Sequence, residues 1–191
     1  MRFENERELV KAYLEKCEKT KYCEITEQDL PCKNRFVEFI LPGFGRIDLI
    51  DFSFGANPFD GILYGIVHIL EFKNNSLCRD DVVQVNRYYQ GIKNIIKDKF
   101  NIYDINQKKT SIHIGLYLIG SEANFNPDTM LLIDSIPELQ IMTHKIVNGK
   151  IEIDFDPLKG VEYPADTNPV LDKHLTAAKY EWDNIRKAGG N

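Results

Sequence analysis

The sequence predicts an α/β domain whose mixed central sheet is flanked by helices, in the order α-β-β-β-α-β, followed by a hairpin and a last helix. Three observations lead there. Stretches 4–19 and 80–100 repeat apolar residues at helical spacing. Between them lie three strand-like runs, of which 62–73 (ILYGIVHILEFK) is almost continuously apolar, the pattern of a strand covered on both faces. Another apolar run, 111–119 (SIHIGLYLI), follows the second helix, and a helical crossover sets such a strand parallel to a neighbour.

Taken in order, Leu9, Val10, Tyr13, Leu14 and Cys17 form one stripe on the first helix. At about 100° per residue Glu6 falls in the middle of that stripe, whereas Glu4 and Glu8 point to the opposite side. Segments 35–41 (RFVEFIL) and 45–51 (GRIDLID), joined by Pro42-Gly43-Phe44, read as a hairpin with alternating side chains. The stretch 53–61 has the composition of a loop, and 62–73 is the central strand. In the second helix Val85, Tyr89, Ile92 and Ile96 recur at helical spacing, and Asp80 or Asp81 is suited to cap its start. A short helix is expected over 127–135. A hairpin over 140–147 and 150–155 follows, turning at Asn148-Gly149, a pair suited to a type I′ turn. Val170, Leu171, Leu175, Ala178, Trp182 and Ile185 outline a final amphipathic helix.

A chain of 191 residues, 43% hydrophobic and 28% charged, has enough apolar surface for one sizeable core, so the whole of 1–191 is expected to form a single domain. No apolar run reaches about 18 residues and the first ten (MRFENERELV) are charged, so a cytoplasmic protein without a membrane partner is expected. Cys17, Cys23, Cys32 and Cys78 lack any CxxC pair and read as free, partly buried thiols. The net charge of -5 does not advertise a polyanion partner, although basic stretches occur at 33–35 and 87–99. No Walker loop, serine nucleophile elbow or paired-histidine zinc spacing occurs, and His68, His113 and His144 read as core or strand-face residues.

The chemistry-bearing residues stand in awkward places. Asp48 interrupts an apolar strand between Ile47 and Leu49, and Glu71 and Lys73 end the central strand on one side, because alternate strand residues share a face. A buried lone carboxylate costs several kcal/mol unless it is paired or binds metal. A hard divalent cation held by Asp48 and Glu71, with the Lys73 ammonium beside it, matches a metal and a phosphate together.

Asp48 followed by Glu71-Phe72-Lys73 resembles the PD-(D/E)xK nuclease signature, with Ile47 in place of the nominal proline. Gln84 and Tyr88 resemble the QxxxY helix motif of RecB-like members, an i, i+4 pair on one helix side. The run Gly45-Arg46-Ile47-Asp48-Leu49-Ile50, the strand through Lys73 and the helix from Gln84 to Tyr88 are similar to NucS-type endonuclease domains in order and spacing. The likeness covers about 4–120, leaving 121–191 as a C-terminal extension. It implies a restriction-endonuclease-like core and a DNA phosphodiesterase using Mg²⁺ or Mn²⁺; RNA is an alternative substrate, and the final helix, with Trp182 and Ile185, is free to pack on the core or on a second copy in a homodimer. The likeness also implies metal ligation by Asp48, Glu71, the Phe72 carbonyl and Glu6, catalysis by Lys73, and Gln84 and Tyr88 lining the phosphate side. Arg46 and Arg87 are candidates for backbone contacts to nucleic acid. The iron-sulfur cluster that some RecB-like nucleases hold on four cysteines does not fit, since three cysteines here precede the core strands and Cys78 follows the Glu71-Phe72-Lys73 motif, whereas that family splits one early and three late. The rival expectation is a non-catalytic nucleic-acid or protein-binding module on the same fold, such as a defence or anti-defence component.

Overall fold

The computed structural model describes residues 5–26, 28–29, 34–56, 63–100, 110–148, 150–155 and 157–158. The chain divides into two compact units, Met1–Lys159 and Gly160–Asn191. The second unit, with the expected final helix, lies outside the described residues, as do Cys32 and Gly149. In chain order the elements are α1 (Glu6–Thr20), β1 (Tyr22–Cys23), β2 (Gln28–Asp29), β3 (Arg35–Leu41), β4 (Gly45–Ala56), β5 (Leu63–Phe72) and β6 (Ser76–Leu77). There follow α2 (Arg79–Phe100), β7 (Thr110–Gly120), β8 (Glu122–Ala123), α3 (Pro127–Asp134), β9 (Leu139–Val147) and β10 (Lys150–Asp154).

Six strands form a mixed sheet in the order β10-β9-β7-β5-β4-β3. β3, β4 and β5 are antiparallel neighbours, β7 runs parallel to β5 and β9 parallel to β7, and β10 turns back on β9. The crossover through α2 thus sets β7 parallel to β5, as its helical length requires. One sheet face packs against α2 and α3, through Val85, Tyr88 and Ile92 on α2 against Ile69, Leu116 and Leu118. The other packs against α1, whose Leu9, Val10, Tyr13 and Cys17 meet Leu49, Leu70 and Phe72. Each such buried aliphatic side chain contributes about 1.5–3 kcal/mol, so the stripe on α1 accounts for its docking.

Several boundaries differ from expectation. Asn5 caps α1, its side chain accepting from the Glu8 N–H at 3.0 Å, and Lys21 closes the helix in the left-handed region. β4 does not stop at residue 51: it continues to Ala56, so the expected loop from 53 begins as strand, held by pairing of Ser53–Ala56 with Leu63–Ile66. At the start of α2, Asp81 reaches back to accept from the Cys78 N–H at 2.8 Å, while Asp80 is exposed in the first turn. The two-residue strands β1, β2, β6 and β8 carry too little pattern to be seen in sequence.

Side-chain alternation breaks within the β3–β4 hairpin. Ile47 joins the α2 cluster and Leu49 the α1 cluster, although strict alternation would put both on one face. The break falls at Asp48. Across from it, between the pairs Val37–Leu49 and Phe39–Ile47, Glu38 adopts φ 52°, a left-handed conformation costing a non-glycine residue roughly 1–2 kcal/mol.

Candidate functional site

The facing ends of β4 and β5 bring Asp48 and Glu71 together. The Phe72 N–H donates to Asp48 Oδ2 at 2.9 Å, and the Asp48 N–H approaches Glu71 Oε2 at 3.4 Å. Lys73 leaves β5 beside them: its N–H donates to the Ile119 carbonyl at 2.7 Å, and its ammonium donates to Glu71 Oε1 at 3.0 Å. From α1, Glu6 Oε1 lies 3.7 Å from the same ammonium. From α2, Gln84 Nε2 donates to Glu71 Oε1 at 3.0 Å and to the Tyr88 hydroxyl, which in turn donates to the Arg46 carbonyl at 2.7 Å. Glu71 is therefore fixed from β4, from α2 and by Lys73 just past the end of β5.

Glu71 is 2% exposed. Burial first, and then the charge of Asp48, push its carboxyl up to about 7 despite the opposing pull of Lys73. Burial also raises Asp48. Burial works against the charge on Lys73, but Glu71 outweighs it and the ammonium is held more firmly than usual. With both acids ionised, two negative charges face one positive, an arrangement that a hard cation would relieve. The donor set, carboxylate oxygens with no thiolate or imidazole, suits Mg²⁺ or Mn²⁺. Among the described residues no group of three His, Cys, Asp or Glu side chains converges for a metal. The Glu6 carboxylate pairs with the Lys73 ammonium.

Tyr88 is 1% exposed and spends its hydroxyl on Gln84 and the Arg46 carbonyl, and half-buried Gln84 donates to Glu71, so the pair braces Glu71 and β4. Arg46 and Glu6 line a cleft of about 230 Å³ with Asp48, Glu38, Val37 and Arg7. Arg87 is exposed and lies over Gly45, apart from the residues that line the cleft.

Two participants escaped the sequence. His144 on β9 is 8% exposed, and its Nε2–H donates to the Lys73 carbonyl at 3.0 Å, while burial lowers its pKa. Glu38 carries no local signal at all, since its importance lies in a backbone angle and in a neighbour across the hairpin. His68 is buried, as expected of a strand-face histidine, and His113 is exposed on β7. Cys17 and Cys23 are buried free thiols, and Cys78 is an exposed one. Compared with protein-family models, curated proteins and solved structures, the chain shows no match.

Proposed function

We propose that this chain is a metal-dependent nuclease of the PD-(D/E)xK type, with a restriction-endonuclease-like core, that hydrolyses phosphodiester bonds in DNA. The observation that carries this reading is the meeting of Asp48, Glu71 and Lys73 at the facing ends of β4 and β5. Asp48 and Glu71, with the Phe72 carbonyl as a further oxygen donor, would hold Mg²⁺ or Mn²⁺. Bound there, the cation supplies a water of lowered pKa and neutralises charge on the phosphate.

The chain's own residues do the rest. Lys73, held between Glu71 and Glu6, keeps a positive charge where phosphate oxygens gather in the transition state. Gln84 fixes the Oε1 edge of Glu71 and so leaves Oε2 on the Asp48 side. Tyr88 anchors the β4 backbone at Arg46, and His144 fixes the Lys73 carbonyl. The site is thus preorganised by hydrogen bonds from α2, β7 and β9.

The test is cleavage of single-stranded, duplex and branched DNA and of RNA in Mg²⁺ or Mn²⁺, beside Lys73→Ala and Glu71→Ala. The parent should cut, and each variant should lose on the order of a hundredfold or more. Cleavage that persists in both variants removes the assignment. The second reading, a non-catalytic binding module, is favoured by the exposed Phe36, Val37 and Ile40 on edge strand β3, which suit a protein partner or a second copy of the chain. A parent that cuts none of the four substrates selects it.

A further inference from the structure

The cleft beside Asp48 has a composition that hydrolysis at Asp48, Glu71 and Lys73 does not use. Its floor is β4, where Arg46 and Asp48 lie two residues apart, hence about 7 Å along the strand. That separation is of the order of the spacing between neighbouring phosphates on a nucleic-acid strand. The Arg46 side chain is 64% exposed and its guanidinium lies 3.8 Å from Glu38 Oε1, a loose and solvated pair that a phosphate can displace. Arg7, exposed on α1, stands at the wall of the same cleft.

Glu38 is placed there at a cost. It stands across from Asp48 in the hairpin, with φ 52° where an extended angle belongs. Backbone held in a sparsely populated region persists because its surroundings determine it, and such positions gather at binding sites. The carboxylate so placed meets Arg46 on one side and shares the cleft with Asp48 on the other.

The geometry points to a phosphate-binding subsite in this cleft, in which Arg46 takes the phosphate next to the scissile one and Glu38 is a positioning residue that competes for Arg46 until the strand arrives. The ligand class is a single nucleic-acid strand, read through its backbone. This assignment rests on the nuclease reading for the location of the scissile phosphate. Opposite signs follow for the two variants: loss of Arg46 weakens strand binding, and loss of the Glu38 charge strengthens it.

The experiment is fluorescence anisotropy of labelled single-stranded oligothymidylate in EDTA, across a salt series, with the parent, Arg46→Gln, Glu38→Gln and the double variant. Arg46→Gln should weaken binding about tenfold and lower the salt slope by about one. Glu38→Gln should tighten it about threefold, and that gain should vanish in the Arg46→Gln background. Glu38→Gly, which relaxes the backbone angle and removes the same charge, should also tighten binding, keeping the charge effect readable if the glutamine variant is unstable. No binding by the parent, an unchanged slope in Arg46→Gln, or weaker binding in both Glu38 variants overturns the subsite. Cleavage by the parent in Mg²⁺ is scored separately, so a failed nuclease reading and a failed subsite give different results.

Discussion

Asp48 stands across the end of the β4–β5 ladder from Glu71, its N–H 3.4 Å from Glu71 Oε2, and the Lys73 ammonium pairs with Glu71 at 3.0 Å while acting on Asp48 through its charge. The cost of this juxtaposition should appear as a pH dependence of stability. Unfolded, Glu71 ionises near its ordinary value of 4.5, whereas in the folded protein burial and Asp48 move it to about 7. Between those values the folded state binds more protons than the unfolded one, so stability falls as pH rises through that window and is flat above it. The loss for the metal-free protein is at most about 3 kcal/mol. Denaturant melts in EDTA at pH 5 and pH 8 should show it for the parent and much less of it for Glu71→Gln. Equal pH slopes in the two proteins would contradict the strain assigned to this pair.

Metal should reverse that penalty. Mn²⁺ at pH 8 is expected to raise the melting temperature of the parent, by mass action on the folded state, and to leave Asp48→Asn unmoved. A shift of the same size in both would place the bound ion elsewhere.

The brace from α2 can be cut at one atom. Tyr88→Phe removes the donor to the Arg46 carbonyl and the acceptor for Gln84 while keeping the ring in the core. A cost of roughly 1–2 kcal/mol is expected in a urea melt. Cleavage should fall less than in Lys73→Ala, because Gln84 still donates to Glu71. A Tyr88→Phe protein as inactive as Lys73→Ala would mean that the hydroxyl acts on substrate directly.

How far the sequence carried can be judged at particular residues. Lys73, Glu71 and Asp48 were legible because a charge in an apolar strand needs a local reason, and the hydrogen bonds among them supply it. The order of the main strands and helices was legible because helical and near-continuous apolar patterns separate cleanly. Glu38 was not, since backbone angles leave no mark on composition. The inward use of Tyr88 was hidden for another reason: spacing on a helix says which residues share a side, but not which carbonyl a hydroxyl will find on a strand 42 positions earlier. The continuation of β4 to Ala56 was masked by residues such as Gly55, whose loop-like composition was overridden by a partner strand.

Two glycines of the β3–β4 turn should respond differently to alanine. Gly43 has φ +79° and nothing near the position of a Cβ, so Gly43→Ala costs about 1 kcal/mol of backbone strain alone. Gly45 has φ +130°, and a Cβ there would lie 2.9 Å from Tyr88 Cε1, on a ring that the core holds in place. Gly45→Ala should therefore cost a further 1–3 kcal/mol or so and depress cleavage by shifting Tyr88 from the Arg46 carbonyl. Matching denaturation midpoints for the two variants would show that the ring is free to move.

The opposite end of the same hairpin is held by a buried ion pair. Arg35 and Asp51 face each other in the β3–β4 ladder and meet through two hydrogen bonds, Nε to Oδ1 at 2.7 Å and Nη2 to Oδ2 at 2.6 Å. Asp51 is fully buried and Arg35 12% exposed, so the charges are compensated by each other more than by water. The guanidinium also reaches Cys23, whose thiol is brought down to about 7, first by its hydrogen bond with Cys17 and then by Arg35. Removing one partner strands the other: Arg35→Met should cost about 3–5 kcal/mol, whereas Arg35→Met combined with Asp51→Leu should recover most of it. The coupling is read from a double-mutant cycle in urea. Additive losses in the double variant would mean that the two residues stabilise the hairpin separately, by packing, and that their paired geometry contributes little.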